Sequence, residues 1–444
     1  MSATTENRFD RLTALKSAKR RIDALPSVRG TIPEIPGGSE RLAQLLGATP
    51  RSNRFGEHLA LRRWFSDCVG CEPPADRIDL EALSLLVPDA PTEIADPTQW
   101  LFLDTETTGL AGGAGTYPFL VGIGWWDAGG FEVEQFFMRD HSEEHSLLVA
   151  LAERMAERRV LVTFNGKSFD WPLLETRFRM TRAVRSPVPR AHLDFLHPAR
   201  NLWRLQLGSV RLAELERHVL GWNRGVDVMS NLIPEIYFDF LRGGSPEPLI
   251  PIFQHNQMDL RGLAGLAAHV LALLANPESH GKNALDLFGV SRICELRGKA
   301  ARARALYARS LTSALPEATD RIARKSLARL AKRDGDFALA RALWTDMLSP
   351  TREGLEAYEA LAIHCERRER NPQNAAKLMR SALAELGRAK RLGSVTPVLY
   401  GRYSRRFEAR LTRLRRKLGR TLLDDWDGEP KEPTESNRNV TESN

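Results

Sequence analysis

Two acidic residues lie two positions apart at the end of a hydrophobic run, in the sequence Leu101-Phe-Leu-Asp104-Thr-Glu106-Thr-Thr-Gly109. Side chains alternate across a strand, so Asp104 and Glu106 are expected to point to the same side. Two carboxylates held together at a buried strand end repel each other, and a cation between them would remove that repulsion. The spacing therefore indicates a metal site. The alternative at this point is a turn that starts at Asp104, with Glu106 as a solvated surface charge.

Two further acids stand in patterned contexts downstream. Asp170 closes the string Asn165-Gly-Lys-Ser-Phe169-Asp170, and Asp259 closes the string His255-Asn-Gln-Met-Asp259. A His four residues before an Asp lies one helical turn away, so both side chains could face the same site. An imidazole suits the removal of a proton from a metal-bound water. The alternative role for His255 is a hydrogen bond within the fold.

These strings resemble the motifs of the DEDD exonuclease superfamily, whose members have a ribonuclease H-like fold. The matching positions are Asp104, Glu106, Asn165, Phe169, Asp170 and Asp259. In that superfamily the last motif carries a Tyr four residues before the Asp, or a His five residues before it. Here the spacing is the Tyr type but the residue is His255, which leaves its role as general base open.

A bacterial YprB-type group of ribonuclease H-like proteins is similar to the chain from about Pro97 to Asn276. The similar strings include GGAGTYPFLVGIG at 112–124 and HLDFLHPAR at 192–200. Several strings in the same order are more specific than one short motif. The resemblance implies an α/β ribonuclease H-like domain with a mixed central sheet flanked by helices.

The resemblance also implies a 3′–5′ exonuclease that uses two Mg²⁺ or Mn²⁺ ions. Carboxylates without a Cys or His cluster suit these hard cations rather than zinc. One ion would lower the pKa of the attacking water, and the other would stabilise the leaving oxygen. By this analogy Asp104 bridges the two ions. Glu106 and Asp259 bind the first ion and Asp170 binds the second.

Substrate contacts are expected, on the same resemblance, at Thr107, Gly109, Asn165 and Phe169. The fifth acid, Asp194, either lies near the metals or caps the next helix. The glycine-rich loop 109–115 would let a nucleic-acid end approach closely, although an ordinary strand connection is the alternative. It lacks the Gly-Lys-Ser/Thr ending of a P-loop, so nucleoside triphosphate binding is disfavoured.

The elements that position these side chains follow from the hydrophobic pattern. Residues 101–104, 119–126, 131–138 and 160–164 are predicted strands, the first three being antiparallel neighbours. Segment 142–158 is predicted to be an amphipathic helix. Segment 260–275 is apolar but shorter than the roughly 20 residues that span a bilayer, so we expect a mostly buried helix.

Charge divides the chain into regions. Residues 281–420 hold 32 Lys and Arg against 14 Asp and Glu, whereas the whole 444-residue chain has a formal charge of only +8. We therefore predict an N-terminal extension over 1–96, the ribonuclease H-like domain over 97–276, a basic all-α domain over 281–420 and a disordered tail over 427–444.

The basic region contains a repeat, with Leu306, Leu343 and Leu378 in similar strings 37 and 35 residues apart. This spacing resembles a degenerate array of tetratricopeptide repeats, which would offer a concave face to a protein partner. Arginines and a lysine cluster within 402–417. We interpret them as a phosphate-contacting surface, with solvated Arg-rich helix faces as the alternative.

Four cysteines and the lack of an apolar signal core favour a cytoplasmic location, and no membrane association is expected. Only Cys68 and Cys71 have a suggestive spacing, and one such pair is half a zinc site. The first functional hypothesis is a metal-dependent 3′–5′ exonuclease acting on single-stranded DNA or RNA. The second is a non-catalytic nucleic-acid-binding scaffold whose helical repeats recruit proteins.

Overall fold

A seven-stranded mixed sheet forms the first part of the molecule in the computed structural model. The described residues are 38–66, 77–88, 91–109, 115–127, 129–182, 185–225 and 227–426, with side chains to residue 419. The strands are β1 (Thr49–Asn53), β2 (Gly56–Phe65), β3 (Trp100–Thr107), β4 (Pro118–Asp127), β5 (Gly130–Phe137), β6 (Val160–Thr163) and β7 (Ala191–Asp194). Their order is β1-β2-β5-β4-β3-β6-β7. The predicted antiparallel set β3, β4 and β5 is confirmed, and β6 and β7 continue the sheet in parallel to β3.

Helices cover both faces of this sheet. They are α1 (Gly38–Leu46), α2 (Leu80–Leu86), α3 (Glu144–Glu157), α4 (Asp170–Thr181), α5 (Leu196–Leu207), α6 (Leu212–Leu215), α7 (Ile233–Leu241) and α8 (Ile250–Ala275). The predicted helix over 142–158 is α3, which follows a 3₁₀ turn at His141–Glu143. The buried helix predicted over 260–275 is also confirmed, but it starts ten residues earlier and so carries both His255 and Asp259.

Strand β3 shows how alternation builds two cores. Trp100 and Phe102 point into one core, together with the apolar face of α8. Leu101 and Leu103 point into the other core, on the opposite face. Among the described residues one helix, within 247–275, is long and apolar enough to cross a membrane, and 61% of that window is buried inside the protein. Helix α8 is therefore packed as the central core helix of this region.

The hairpin of β1 and β2 extends the sheet on the side opposite β7. Strand β2 pairs in antiparallel fashion with β5, with Leu59 opposite Phe137. Strand β1 pairs only with β2 among the described strands, so it forms the outer edge, and its side chains are mostly exposed. The sheet thus continues into the predicted N-terminal extension. The Cys68 and Cys71 pair, residues 1–37 and the tail 427–444 lie outside the described residues.

A long helical region follows α8, as predicted. Its helices are α9 (Pro277–His280), α10 (Ala284–Leu296), α11 (Ala300–Ser310), α12 (Glu317–Arg333), α13 (Phe337–Asp346), α14 (Arg352–Arg367), α15 (Pro372–Arg391) and α16 (Pro397–Trp426). The small residues of the repeated strings, Ala303, Ala340 and Ala375, are fully buried between helices. The tetratricopeptide assignment itself stays a prediction.

Half of the basic cluster near the C-terminus lies in ion pairs between α14 and α16. Glu359 pairs with Arg406 and Arg410, and Glu366 pairs with Arg410, Arg413 and Lys417. These four cations therefore hold two helices together, which the sequence interpretation as a phosphate surface did not foresee. Arg402, Arg405, Arg415 and Arg416 are exposed on the same helix.

Candidate metal centre

Asp104 and Glu106 lie at the C-terminal end of β3, on the same face as Trp100 and Phe102. The pairing with β4 is irregular between Glu106 and Thr107, a distortion that is common where a strand end presents functional side chains. Burial raises the pKa of Asp104 well above its usual value, and the charges of Asp259, Glu106 and Asp170 raise it further. Burial also raises the pKa of Glu106, and the charges of Asp259, Asp170 and Asp227 raise it further. The repulsion expected from the spacing is therefore present.

Asp170 reaches this cluster through a tight turn after β6. Asn165 has a left-handed backbone, with φ of 69°. At Gly166 an added Cβ would lie 2.5 Å from the Cβ of Thr163, so the turn needs a glycine there. Asp170 then begins α4, where it accepts a 2.5 Å hydrogen bond from the Thr105 hydroxyl. Burial is the main reason that the pKa of Asp170 rises to about 6.

Helix α8 supplies His255 and Asp259 one turn apart. The Nε2 atom of His255 lies 3.6 Å from Oδ2 of Asp259 and 3.9 Å from Oε1 of Glu106. The structure thus brings the predicted residues Asp104, Glu106, Asp170, His255 and Asp259 into one cluster. Their metal-binding and catalytic roles stay predictions.

A chain of buried amides holds Asp104, and sequence reasoning missed it. Asn256 donates a 2.8 Å hydrogen bond from Nδ2 to Oδ2 of Asp104. Gln135, fully buried on β5, donates a 2.7 Å hydrogen bond to Oδ1 of Asn256. One signal was available, because Asn256 stands three residues before Asp259 and so lies near it on the same helix face.

Two charged residues from the irregular segment between α6 and α7 complete the surroundings. The Arg224 guanidinium lies 2.5 Å from Oδ1 of Asp259 and is also paired with buried Glu216. Despite its burial, these acids raise the pKa of Arg224, so it stays charged. Asp227 accepts a 2.7 Å hydrogen bond from Nδ1 of His255. The sequence holds no periodic pattern there that would have indicated either residue.

The predicted substrate contacts lie close to the proposed ligands in sequence. The hydroxyl of Thr107 donates a 3.0 Å hydrogen bond to the carbonyl of Gly109. Residues 110–114 of the glycine-rich loop lie outside the described part of the chain. Phe169 directly precedes Asp170, and the residue is 58% exposed. An exposed aromatic ring beside a carboxylate cluster is available for stacking on a base.

Asp194 ends β7 and braces the neighbouring turn. Its Oδ1 accepts hydrogen bonds from the backbone N–H groups of Asn165 at 2.9 Å and Leu196 at 3.0 Å. Its Oδ2 accepts a 3.0 Å hydrogen bond from the backbone N–H of Lys167. Asp194 therefore accepts from the first N–H group of α5 and fixes the turn that carries Asn165, and its place near a metal stays a prediction.

The donor set of the cluster fits a hard cation. Four carboxylates converge without a cysteine, and burial together with the neighbouring negative charges raises the pKa values of Asp104 and Glu106. However, in the described part of the chain no three Asp, Glu, His or Cys side chains lie in a geometry that could hold a metal ion. Arg224, Asn256 and the Thr105 hydroxyl instead contact the carboxylates of Asp259, Asp104 and Asp170.

Comparison with known proteins agrees with this architecture. Residues 101–271 match the model of the RNase_H superfamily. The chain contains a ribonuclease H-like domain. The matched span includes the C-terminal end of β3, the turn between β6 and α4, and the part of α8 that carries His255 and Asp259.

Two individual proteins are similar to parts of this chain. The uncharacterized protein YprB of Bacillus subtilis is 36% identical over 180 residues, which are 40% of this chain and 43% of that protein. The match thus spans less than half the length of that relative. The family B DNA polymerase of the archaeon Pyrobaculum calidifontis superposes with a TM-score of 0.33 and 17% identity, over 46% of this chain and 29% of the polymerase. Agreement at that level does not establish a common fold.

Proposed function

We propose that this protein is a metal-dependent 3′–5′ exonuclease that hydrolyses phosphodiester bonds of single-stranded nucleic acid. The observation that carries the proposal is the convergence of Asp104, Glu106, Asp170 and Asp259, from the end of β3, the start of α4 and the middle of α8, into one cluster in which the pKa values of Asp104, Glu106 and Asp170 are raised. Such a cluster is unfavourable unless a cation compensates it. Two bound Mg²⁺ or Mn²⁺ ions would supply water activation and stabilisation of the leaving oxygen.

His255 is the proposed proton acceptor. Its Nδ1 faces the Asp227 carboxylate, so the proton on the ring belongs on Nδ1 and the lone pair on Nε2. Nε2 in turn faces Glu106 and Asp259, where the attacking water would stand. The His at this spacing can therefore accept a proton at Nε2 without a change of tautomer.

Single-stranded substrates suit the surroundings of the cluster. The exposed Phe169 ring can stack on a base only if that base has left a duplex. Asn165 stands on the turn that Asp194 braces, and Thr107 and Gly109 lie where β3 ends. We assign these four residues to substrate binding on that basis.

The test uses end-labelled single-stranded DNA and RNA with Mg²⁺ or Mn²⁺. We expect the wild-type chain to shorten one of these substrates from its 3′ end. Asp104→Asn and Glu106→Gln should each lose more than about 100-fold in rate, since each removes a ligand worth several kcal/mol in the transition state. Asp239→Asn, at an exposed acid on α7, is the matched control and should keep the rate.

The other outcomes are equally informative. Shortening from the 5′ end or internal cutting would contradict the proposed polarity. Metal-independent binding without cleavage would instead support the second candidate, a non-catalytic nucleic-acid-binding scaffold. The ion pair of Asp259 with Arg224 is the observation that keeps this second candidate, because it engages one proposed ligand with a protein cation.

A further inference from the structure

The short segment from Arg224 to Asp227 contacts both functional residues of α8. Arg224 pairs with Oδ1 of Asp259 at 2.5 Å, and Asp227 accepts the hydrogen bond from Nδ1 of His255 at 2.7 Å. The two residues also contact each other, since a guanidinium nitrogen of Arg224 lies 3.3 Å from Oδ2 of Asp227. Two residues close in sequence, Arg224 and Asp227, thus hold the Asp and the His of the same helical turn.

The support for Arg224 is built into the core. Its partner Glu216 has a fully buried side chain and stands at the start of a π-helical turn, Glu216–Leu220. Glu216 fits only because α8 has Gly262 opposite, where an added Cβ would lie 1.6 Å from Oε1 of Glu216. A buried charged network is a poor source of stability compared with apolar packing, so its presence beside this cluster indicates a role in the site.

The geometry separates the two oxygens of Asp259. Arg224 occupies Oδ1, whereas Oδ2 is directed towards Nε2 of His255 at 3.6 Å and hence towards the Glu106 side of the cluster. Glu216 receives two guanidinium hydrogen bonds from Arg224, so the plane of that group is fixed. Because the fixed guanidinium plane of Arg224 binds Oδ1 of Asp259, it also determines the direction of Oδ2.

We propose that Arg224 and Asp227 are positioning residues that set the orientation of Asp259 and His255 for divalent-ion binding. This inference rests on the proposed function, since it presumes an ion at the cluster. Two simpler roles give different expectations. A cation that only balances charge would be replaceable by Lys, and a cation that competes with the metal would weaken metal binding. Positioning requires the planar fork that Arg has and Lys lacks.

The experiment measures the affinity of the full chain for Mn²⁺, from the free-ion signal in electron paramagnetic resonance, without any substrate. Removing groups that orient metal ligands typically costs about 10–100-fold in metal affinity. We expect losses in that range for Arg224→Gln and Arg224→Lys. Arg242→Gln, at a 71% exposed arginine that pairs with Asp239, is the matched control and should bind like the wild type.

Asp227→Ala is a second test in case the Arg224 variants misfold, because the Asp227 side chain is 26% exposed whereas that of Arg224 is only 6% exposed. We expect it to weaken Mn²⁺ binding by about tenfold, and Asp227→Asn to restore most of that loss because an amide oxygen can still accept from Nδ1. Circular dichroism establishes the folded fraction of each variant.

Each other outcome would overturn either the positioning role or the proposed function. Folded variants with wild-type affinity would overturn the positioning role and leave the proposed function intact. Wild-type Mn²⁺ affinity in Arg224→Lys alone would show that Arg224 only balances charge. Tighter Mn²⁺ binding in Arg224→Gln would show that Arg224 competes with the ion. A wild-type chain that binds no Mn²⁺ would overturn the proposed function together with this inference.

Discussion

At the scale of single residues, the orientation of Asp104 depends on a residue with no side chain. Gly122 on β4 stands directly opposite Asp104 in the sheet. The amide of Asn256 fills the space above Gly122 and from there donates its hydrogen bond to Asp104. The glycine therefore belongs to the site, although it contributes no chemical group.

Gly122→Ala is expected to displace Asn256, because the added Cβ would lie 2.0 Å from its Oδ1. Overpacking of this kind costs about 1–3 kcal/mol, so the free energy of unfolding in urea should fall by that amount. Gly401→Ala in α16, where a Cβ would meet nothing, serves as the control and should stabilise the helix slightly. Equal effects of the two substitutions would contradict the packing argument.

His58 gives the stability a dependence on pH. It is almost fully buried on β2 and shares a 2.8 Å hydrogen bond with the Ser146 hydroxyl. Burial lowers the pKa of His58 from 6.5 to about 4, so the folded protein holds this ring neutral while the unfolded chain protonates it. The stabilisation of the folded state by the neutral His58 ring is therefore fully present above pH 6.5 and is lost as the pH falls from 6.5 towards 4.

His58→Gln should remove part of this loss. We expect the difference in unfolding free energy between wild type and variant to shrink by up to about 3 kcal/mol between pH 7 and pH 4. His192 behaves similarly, because burial also lowers its pKa to about 4, so some pH dependence should persist in the variant. His280→Gln, at an exposed histidine, is the control. Parallel wild-type and His58→Gln curves would refute the assignment.

At the scale of elements, the periodicity of the sequence predicted which side chains share a face of a strand or a helix. The period of two placed Asp104 and Glu106 on one face, and the helical period placed His255 one turn from Asp259. Sequence reasoning missed Arg224 and Asp227 because the residues they contact on α8 lie more than 25 positions away in sequence. Sequence reasoning also missed strand β2, whose place in the sheet depends on pairing with β5, which lies far along the chain.

The exposed arginines of α16 give a test of nucleic-acid contact by this helix. If Arg415 and Arg416 contact phosphates, the double variant Arg415→Gln/Arg416→Gln should lower the slope of log affinity against log salt by about 0.7 for each lost contact on a single strand. Arg406→Gln, whose partner is Glu359 on α14, should change the slope less and destabilise the helical region instead. Equal slopes in all three proteins would assign these arginines to solvated helix faces.

At the scale of the whole molecule, the helical region and the ribonuclease H-like domain share one hydrophobic core. That core runs without interruption from Trp100 on β3 through α8 to the helices after residue 281. The contact is close at α5, where an added Cβ on Gly289 would lie 2.8 Å from the Cα atom of Leu202. Trp203 on the same helix donates a 3.1 Å hydrogen bond to Asp286.

Removal of residues 281–444 should therefore expose the apolar side of α5. We expect the shortened chain to have a lower melting temperature and to elute as aggregates in size-exclusion chromatography, because Leu202 and Trp203 lose the helix that covers them. Removal of residues 427–444 alone deletes no described side chain and is the control. A monomeric, equally stable product of the larger deletion would show that the shared core is dispensable.

The outer strand β1 also determines what the sheet does when two molecules meet. An edge strand offers unpaired N–H and C=O groups to any neighbouring chain, and long flat edges promote polymerisation through added strands. Strand β1 is only five residues long, Pro50 has no N–H to offer, and Arg51 places a positive charge at the same edge. The opposite edge, β7, has only four residues. In the described part of the molecule both edges of the seven-stranded sheet are thus short, which limits the template on which a second copy could extend it.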